Sequence, residues 1–382
     1  MAPIKILIVG TGFGGVYTLK KLHDRFHRNP HVKLSIVGEK NYFLFSPLLH
    51  EVATGGVSPE NITEPIRDMF ACCLYDFHEG KAESVDVKEK TLIVKDEKIS
   101  FDYLVLAPGA ETMYYNIPGA QENSFSLKSL EDAIKIKNHI ILQVEKASDS
   151  REHEERKKML RFVVVGGGPT GVEFAAELQE FIKDTFSRYY RKDVIQDASV
   201  VLIQKMPELL MQLGAGLRKK SLQTLQKKGI EVILNADVTE VFPDRILINN
   251  ETNISTETVV WVAGVKPVSI VLDDFVTKTP DGKVLVNDYL QVEGTSNIFA
   301  LGDFSACKQP NATLLPALAQ VAVREAELVA KNINLLINGA QPKKFVYYHK
   351  GDLLSVGRWM ALGQIKGVQF SGGLAWLLWR TI

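Results

Sequence analysis

The sequence predicts an α/β fold in which two similar parallel-sheet units are combined, one inserted into the other. The first observation is an apolar strand at 4–9 that runs through a glycine-rich turn at 10–15 into a helix-compatible stretch. The second is the return of this strand–turn–helix pattern at 161–186. The third is a pair of short apolar runs, 101–109 and 258–265, that both contain a closing glycine. Such runs are expected where the chain leaves a sheet and crosses between domains.

The length and composition are those of an ordinary globular protein. The chain has 382 residues, of which 46% are hydrophobic and 24% charged, and this length suggests two or three domains. Lys and Arg number 45, as do Asp and Glu, so the formal net charge is zero. Because nucleic-acid-binding domains carry a strongly basic face, we expect no nucleic-acid partner. A mean hydropathy near zero argues against a disordered chain and against a polytopic membrane protein.

The cysteines and the N-terminus point to a reducing compartment. Cys72, Cys73 and Cys307 suit neither a disulfide framework nor a zinc site, so no metal centre is expected. The apolar run at 4–9 has no basic leader or cleavage site before it. We therefore interpret it as the first strand and not as a signal peptide.

The first glycine-rich turn has the G-x-G-x-x-G spacing of a Rossmann-like dinucleotide site. Gly10 allows the tight turn, Gly12 lets the backbone approach a pyrophosphate, and Gly15 lets the helix pack closely. Glu39 follows the second strand at 32–37 and is expected to accept hydrogen bonds from ribose hydroxyls. The remaining candidate residues of this site are Phe13, Gly14 and Lys40. A lone turn of this kind is weak evidence, but the flanking strand, helix and acid strengthen it.

The second turn repeats the spacing at Gly166, Gly168 and Gly171. Two dinucleotide sites in one chain are a much sharper signal than one. After the second strand at 198–203 the chain has Gln204, where an acid would normally face the ribose 2′-hydroxyl. A neutral side chain does not repel a 2′-phosphate, so we expect NADPH to be used as well as NADH.

Further candidate residues lie at the ends of predicted strands. The run 297–302 delivers Asp303 at its carboxyl end, where ligands bind in doubly wound sheets. Asp303 is thus a candidate for contact with the ribityl hydroxyls of a flavin. Ala107, Gly109 and Gly264, in the two crossing runs, are also candidates for cofactor binding.

Together, the two turns, the two crossings and the closing Gly302 and Asp303 resemble the flavoproteins with two dinucleotide-binding domains. In these proteins FAD occupies the first site and NAD(P)H the second. Within that superfamily, three longer motifs resemble the type II NADH:quinone oxidoreductases, the non-pumping respiratory NADH dehydrogenases; they lie at 42–55, 316–322 and 374–379. The resemblance covers about residues 4–340. It implies hydride transfer from NADH to FAD and then transfer of two electrons to a membrane quinone.

The resemblance also implies roles for individual residues. Pro47 lies in the segment that lines the flavin, and Gln320 lies on the helix that meets the quinone. Glu173 corresponds to a position near both nicotinamide and flavin, although a carboxylate there also complements the helix macrodipole. Arg324 stands where the family commonly has a second Gln. It either contacts a quinone carbonyl or pairs with a neighbouring surface glutamate.

The predicted domains follow from the same pattern. We expect residues 1–115 and 266–340 to bind FAD, residues 116–265 to bind NAD(P)H, and residues 341–382 to form a C-terminal segment at the membrane and quinone. The implied protein is a homodimer, attached peripherally to the cytoplasmic face of the cell membrane.

The end of the C-terminal segment is apolar. Residues 367–379 carry no charge but are too few to span a bilayer, which takes about 20 helical residues. They suit an interfacial helix with Trp376 and Trp379 on one face, or alternatively a core helix. Because the resemblance implies further helices, this segment is expected to be incomplete.

Two alternatives from other classes remain open. One is a signalling flavoprotein with poor turnover, similar to apoptosis-inducing factor, against which the zero net charge argues. The other is a ferredoxin or rubredoxin reductase, which the motif around Gln320 and the Trp-rich end disfavour. Adjacent Cys72 and Cys73 cannot span a flavin ring, and residues 40–60 contain no cysteine. Disulfide reductases and sulfide:quinone oxidoreductases are therefore not expected, and the cysteine pair is interpreted as structural or incidental.

Overall fold

The computed structural model describes residues 2–70, 75–308 and 314–381, so Cys72 and Cys73 lie outside the described residues. The strands are β1 (Ile4–Val9), β2 (Val32–Gly38), β3 (Tyr42–Leu44), β4 (Thr63–Pro65), β5 (Tyr75–Glu79), β6 (Ala82–Asp86), β7 (Thr91–Val94), β8 (Glu97–Ser100), β9 (Tyr103–Leu106), β10 (Ala110–Thr112), β11 (Phe125–Ser126), β12 (Arg161–Val165), β13 (Ser199–Ile203), β14 (Glu231–Ile233), β15 (Val238–Val241), β16 (Arg245–Ile248), β17 (Thr252–Ser255), β18 (Thr258–Trp261), β19 (Val265–Pro267), β20 (Val284–Val286), β21 (Ile298–Ala300), β22 (Ser305–Cys307), β23 (Asp352–Ser355), β24 (Ala361–Ile365) and β25 (Val368–Gly372). The helices are α1 (Phe13–Phe26), α2 (Leu49–Ala53), α3 (Leu130–Asp149), α4 (His153–Leu160), α5 (Pro169–Glu180), α6 (Ser187–Tyr189), α7 (Lys192–Ile195), α8 (Ala215–Lys228), α9 (Ala319–Ile337) and α10 (Gly373–Thr381).

The chain divides into two compact units. Unit 1 contains Met1–Phe45, Thr63–Glu111 and Val265–Tyr348, and unit 2 contains Ser46–Ile62, Thr112–Gly264 and His349–Ile382. The predicted domain boundaries lie near those of the two units. The prediction assigns residues 46–62 to the FAD-binding domain and treats residues 341–382 as a separate C-terminal segment. In the structure, residues 46–62 and 349–382 belong to unit 2, and residues 341–348 belong to unit 1. Local sequence patterns do not reveal such packing partners, because a short segment can pack equally well on either neighbour.

Each unit is built on a five-stranded parallel sheet, and four of the strands follow one another in the same order in both; the fifth, at the outer edge, comes last in the chain in unit 1 and first in unit 2. The order is β21-β9-β1-β2-β5 in unit 1 and β11-β18-β12-β13-β14 in unit 2, and every neighbouring pair is parallel. In each sheet the strand before the glycine-rich turn lies in the middle, where the strand order reverses. Ligands bind at this switch point in doubly wound sheets. The predicted fold class, two Rossmann-like units in one chain, is confirmed.

The central strands are apolar along most of their length because helices cover both faces of a parallel sheet. In β1, residues 6–9 are buried, and in β12, residues 162–165 are buried. The predicted strand at 161–165 matches β12. The helix predicted at 172–186 begins earlier, at Pro169, because proline is well suited to the first helical position. It then passes at Phe181–Phe186 into a π-helical turn.

Antiparallel sheets lie between and after the parallel strands. Strands β6, β7 and β8 form one three-stranded sheet before β9, and β15, β16 and β17 form another before β18. The C-terminal part is a third, formed by β23, β24 and β25 and followed by α10. Among the residues described, no helix is both long enough and apolar enough to cross a membrane.

Candidate functional site

The first glycine-rich turn has no room for side chains at two of its three key positions. Gly10 has φ +107°, and a Cβ on it would lie 2.0 Å from the Ala107 carbonyl oxygen. A Cβ on Gly15 would lie 1.8 Å from the Gly10 carbonyl oxygen. At Gly12, by contrast, no atom of the described chain lies within 4 Å of the Cβ position. The turn therefore needs Gly10 and Gly15 in order to fold, whereas Gly12 borders open space.

The second turn repeats this arrangement in unit 2. Gly166 has φ +120°, and a Cβ on Gly171 would lie 1.9 Å from the Gly166 carbonyl oxygen. The Cβ position of Gly168 again has no described atom within 4 Å. In the described chain, no side chain caps the helix that starts after Gly12 or after Gly168. The backbone N–H groups of both helix ends can therefore bind an anion such as a pyrophosphate.

A cavity of about 160 Å³ opens beside the first turn in unit 1. Its lining includes Gly10, Gly12, Glu39, Lys40 and Pro108. The structure thus brings together the predicted phosphate-binding glycines and the predicted ribose-binding acid. These residues fit the nucleotide half of FAD, since glycines border the phosphate position and a carboxylate is available for hydroxyl groups.

The position of the acid in this cavity has a steric reason. β2 ends at Gly38, and Glu39 follows it directly. A Cβ on Gly38 would lie 2.3 Å from the Thr11 Cγ2 atom. Any side chain at 38 would have to displace Thr11, so Glu39 is the first residue that can supply a carboxylate.

The two crossing glycines differ in their surroundings. Gly109 has φ +79°, and no described atom lies within 4 Å of its Cβ position. A Cβ on Gly264 would lie 2.2 Å from the Tyr115 Oη atom, which donates a hydrogen bond to the Ala263 carbonyl at 3.3 Å. Gly264 is thus required for packing within unit 2, which is a structural role beside the predicted cofactor role.

The turn at the end of β21 presents Asp303. Gly302 has φ +66° and begins a short 3-10 turn with a half-buried Asp303. The Glu325 Oε2 atom accepts a hydrogen bond from the Gly302 N–H at 2.6 Å. Burial raises the pKa of Glu325 to about 8. A Cβ on Gly14 would lie 2.3 Å from the Leu301 Cδ1 atom, so α1 also packs against this turn.

Sequence reasoning missed Glu325 as a site residue. Its signal was weak, since a glutamate in a charged stretch of an amphipathic helix usually faces solvent. The neighbouring Arg324 does lie on the surface, where its Nη1 atom lies 2.8 Å from Glu327 Oε2. Of the two interpretations of Arg324, the structure shows pairing with a surface glutamate. Gln320 is the second residue of the same helix and is half-buried.

Gln204 is hydrogen-bonded to the second turn itself. Its Oε1 atom accepts from the Gly167 N–H at 3.0 Å, and its Nε2 atom donates to the Glu208 carbonyl at 3.3 Å. The adjacent Lys205 Nζ lies 2.7 Å from Asp237 Oδ2. The neutral Gln204 side chain thus stabilises the turn, and the cation of Lys205 is already paired with Asp237.

Glu173 is half-buried in unit 2. Its Oε1 atom accepts a hydrogen bond from the Ser355 N–H at 3.0 Å. Burial, together with smaller contributions from the neighbouring Glu177 and Glu51 carboxylates, raises its pKa to about 8. Because α5 begins at Pro169, Glu173 lies past the first turn, where the macrodipole effect is already weak. A buried carboxyl that holds its proton at neutral pH is the kind of group used for proton exchange.

The segment around Pro47 contacts the C-terminal helix. Pro47 is exposed in a 3-10 turn before α2. In α2, Glu51 Oε1 accepts from Arg380 Nη1 at 2.7 Å. The buried His50 ring lies 6.3 Å from the Trp379 ring, and burial lowers the pKa of His50 to about 4.

The exposed face of α10 differs from the prediction. Trp376 packs on Trp359 with ring centroids 4.6 Å apart, and both Trp376 and Trp379 are half-buried. Leucines form the exposed face, with exposed fractions of 81% at Leu374, 56% at Leu377 and 47% at Leu378. The tryptophans, predicted on the interfacial face, are thus partly covered by Trp359 and by His50 of α2, and the leucines form the exposed face.

Comparison with known proteins gives concordant findings. A family model described as pyridine nucleotide-disulphide oxidoreductase matches residues 4–326. A type II NADH:quinone oxidoreductase of Mycobacterium tuberculosis is 31% identical over 99% of this chain and 83% of its own length. The internal alternative NAD(P)H-ubiquinone oxidoreductase A1 of Arabidopsis thaliana mitochondria is also 31% identical, over 99% of this chain and 79% of its own length. The solved structure of NDH2 from Plasmodium falciparum in complex with NADH superposes with a TM-score of 0.92 at 23% identity, covering 99% of this chain and 93% of that one.

Proposed function

Because the chain belongs to the pyridine nucleotide-disulphide oxidoreductases and, within them, to the type II NADH:quinone oxidoreductases, we propose that it oxidises NADH on bound FAD and reduces a membrane quinone. The observation that carries the proposal is the pair of matching glycine turns, each with an open position at its middle glycine and an uncapped helix end in the described chain. Two such turns in one chain accommodate two dinucleotides, one as electron donor and one as carrier.

FAD supplies the hydride and electron chemistry, and the protein supplies position and electrostatics. In this proposal Gly12 borders the FAD pyrophosphate, Glu39 binds the ribose and Asp303 binds the ribityl chain. Gly168 borders the pyrophosphate of NADH. Gln320 orients the quinone by a hydrogen bond. The catalytic role proposed for Glu173 is to hold a proton on Oε2, because its Oε1 atom already accepts from Ser355.

The choice of nicotinamide cofactor depends on Gln204. Its amide places no negative charge beside the turn, so a 2′-phosphate meets no repulsion there. Lys205 offers little added attraction, since it pairs with Asp237. We propose NADH as the main substrate, with NADPH accepted at a lower rate.

Steady-state assays test the proposal directly. The protein with bound FAD should oxidise NADH faster with a short-chain quinone than with oxygen. Gln320→Leu should leave the bleaching of FAD by NADH intact and slow its reoxidation by quinone about tenfold, the effect of losing roughly 1.4 kcal/mol of hydrogen bonding. Stopped-flow absorbance at the flavin band separates the two half-reactions.

A second substitution on α9 is the control for Gln320→Leu. Asn334→Leu, near the other end of α9, should change neither half-reaction. A reduced flavin that persists in the presence of quinone would favour the signalling alternative. Slower bleaching alone in Gln320→Leu would contradict the assignment of this residue to the quinone.

We further propose that the protein attaches to the lipid surface through α10, as a peripheral homodimer on the cytoplasmic face of the cell membrane. Leu374, Leu377 and Leu378 form an exposed apolar face, and Val368 on β25 is 67% exposed. Arg380 on the same helix pairs with Glu51, so the attachment rests on the apolar face. A helix of this kind lies in the interface and does not span the bilayer.

Removing the apolar face should weaken membrane binding. In the triple variant Leu374→Ser, Leu377→Ser and Leu378→Ser, liposome binding should fall more than ~100-fold, because each leucine contributes about 1.5–3 kcal/mol when it leaves water. Co-sedimentation with anionic liposomes measures the loss. The control is Leu142→Ser, which removes another half-exposed leucine of unit 2. Equal binding of the triple variant and the wild type would exclude α10 as the anchor.

A further inference from the structure

A buried carboxyl on α9 is joined to the turn that carries Asp303. Glu325 is 1% exposed, and its Oε2 atom accepts from the Gly302 N–H at 2.6 Å. One helical turn earlier, the Ala322 Cβ atom lies 3.4 Å from the position of a Cβ on Gly302. The helix thus meets this turn at two points, through one hydrogen bond and one close packing contact. The path of the backbone at Gly302 depends on both.

The charged groups around Glu325 come from several elements. Asp303 on the turn disfavours its ionisation, and Lys283, just before β20, favours it. The Cys307 thiol on β22 has its pKa raised to about 12, mainly by burial and also by Glu325. On α9, Arg324 and Glu327 pair with each other, and Lys21 of α1 lies 3.7 Å from Glu327. No cation in the described chain forms an ion pair with Glu325 within 4.0 Å.

We propose that Glu325 is a positioning residue for the flavin, and that the charge on its carboxyl helps to set the flavin's midpoint potential. This inference rests on the proposed flavin function. The hydrogen bond to Gly302 holds the turn that directs Asp303 toward the ribityl chain. When the carboxyl is ionised, its buried negative charge opposes the added electrons of reduced flavin, since little solvent screens it. When it is protonated, that opposition disappears.

Three variants of the FAD-loaded protein separate the positioning role of Glu325 from the effect of its charge. Glu325→Gln keeps an acceptor for Gly302 and has no charge, whereas Glu325→Leu removes both. Glu327→Gln is the matched control, because it removes a carboxylate from the surface of the same helix. The measurements are the FAD dissociation constant and the flavin midpoint potential from pH 6 to pH 9.

Glu325→Leu should bind FAD about tenfold more weakly, the effect expected for the loss of one hydrogen bond to a buried N–H. Glu325→Gln should bind FAD as the wild type does. When the pH is raised from 7 to 9, the ratio of reduced to oxidised flavin should fall about tenfold more in the wild type than in Glu325→Gln. For a two-electron couple this corresponds to a midpoint potential about 30 mV lower. Glu327→Gln should follow the wild type in both measurements.

The outcomes that overturn the inference differ from those that overturn the function. Parallel pH curves for the wild type and Glu325→Gln would refute the role of the charge, even if Glu325→Leu does not fold. Wild-type FAD affinity in a folded Glu325→Leu would refute the positioning role. A wild-type protein that retains no FAD at all would overturn the proposed function, and this inference with it.

Discussion

Gly12→Leu should yield a folded protein that no longer retains FAD. The Cβ position at Gly12 has no described atom within 4 Å, so a side chain there leaves the protein's own packing intact. It occupies the space that a pyrophosphate needs and blocks the N–H groups at the start of α1. We expect FAD affinity to fall at least ~100-fold, or about 2.8 kcal/mol. The flavin absorbance that remains after gel filtration measures the loss.

Two matched variants make this test specific. Gly168→Leu is the corresponding change in unit 2, and it should leave FAD bound but prevent bleaching by NADH. Gly15→Ala should instead fail to fold, because its Cβ would lie 1.8 Å from the Gly10 carbonyl oxygen. If Gly12→Leu remained yellow while Gly168→Leu lost its flavin, the order of the two nucleotides along the chain would be reversed.

Raising the pH from 6 to 9 should lower the free energy of unfolding of the wild type, and in Glu173→Gln this decrease should be much smaller. The pKa of Glu173 is raised to about 8 by burial, above the ~4.3 of an unfolded glutamate. The folded state therefore binds more protons between these values, so stability falls as the pH rises. From pH 6 to pH 9 this one group costs on the order of 3 kcal/mol.

Urea unfolding of the FAD-loaded protein at pH 6 and pH 9 measures this effect. Glutamine can still accept the hydrogen bond from the Ser355 N–H, so the substitution removes the titration and keeps that contact. Some pH dependence should remain, because burial also raises the pKa of Glu177 to about 7 and that of Glu325 to about 8. Glu154→Gln, on the surface, is the control. Equal pH dependence in Glu173→Gln and the wild type would mean that Glu173 is already ionised at pH 6.

Local patterns predicted the parts of the site that depend on local backbone geometry. The spacing of Gly10, Gly12 and Gly15 encodes a turn whose steric demands arise within a few residues, and its recurrence at Gly166 predicted the second unit. The predicted family is likewise confirmed by the relatives. The strand at β12 was predictable because a parallel strand covered on both faces is apolar throughout.

The parts that were not predicted depend on distant contacts. The spacing of Glu325 from Val321 and Val329 places it on the apolar face of α9, but its hydrogen bond to Gly302 is a contact outside the helix, which no local pattern reveals. The tryptophans of α10 are half-buried because they pack on Trp359 and His50. Periodicity identifies the apolar residues of a helix, but it does not show which of them a neighbouring element buries.

The chain segment that forms the sheet of unit 2 lies between β9 and β21 of the sheet in unit 1, and this has a consequence for the order of folding. The strands of the sheet in unit 2 all lie between Phe125 and Trp261, so this sheet can form before the rest of the chain is synthesised. The sheet in unit 1 can be completed only after β21 has been synthesised, because Leu104 of β9 pairs with Ile298 of β21. Until the ribosome delivers that last strand, β9 is an unprotected edge that can pair with other chains. Yield in the cell should therefore depend on how quickly β21 is synthesised and pairs with β9.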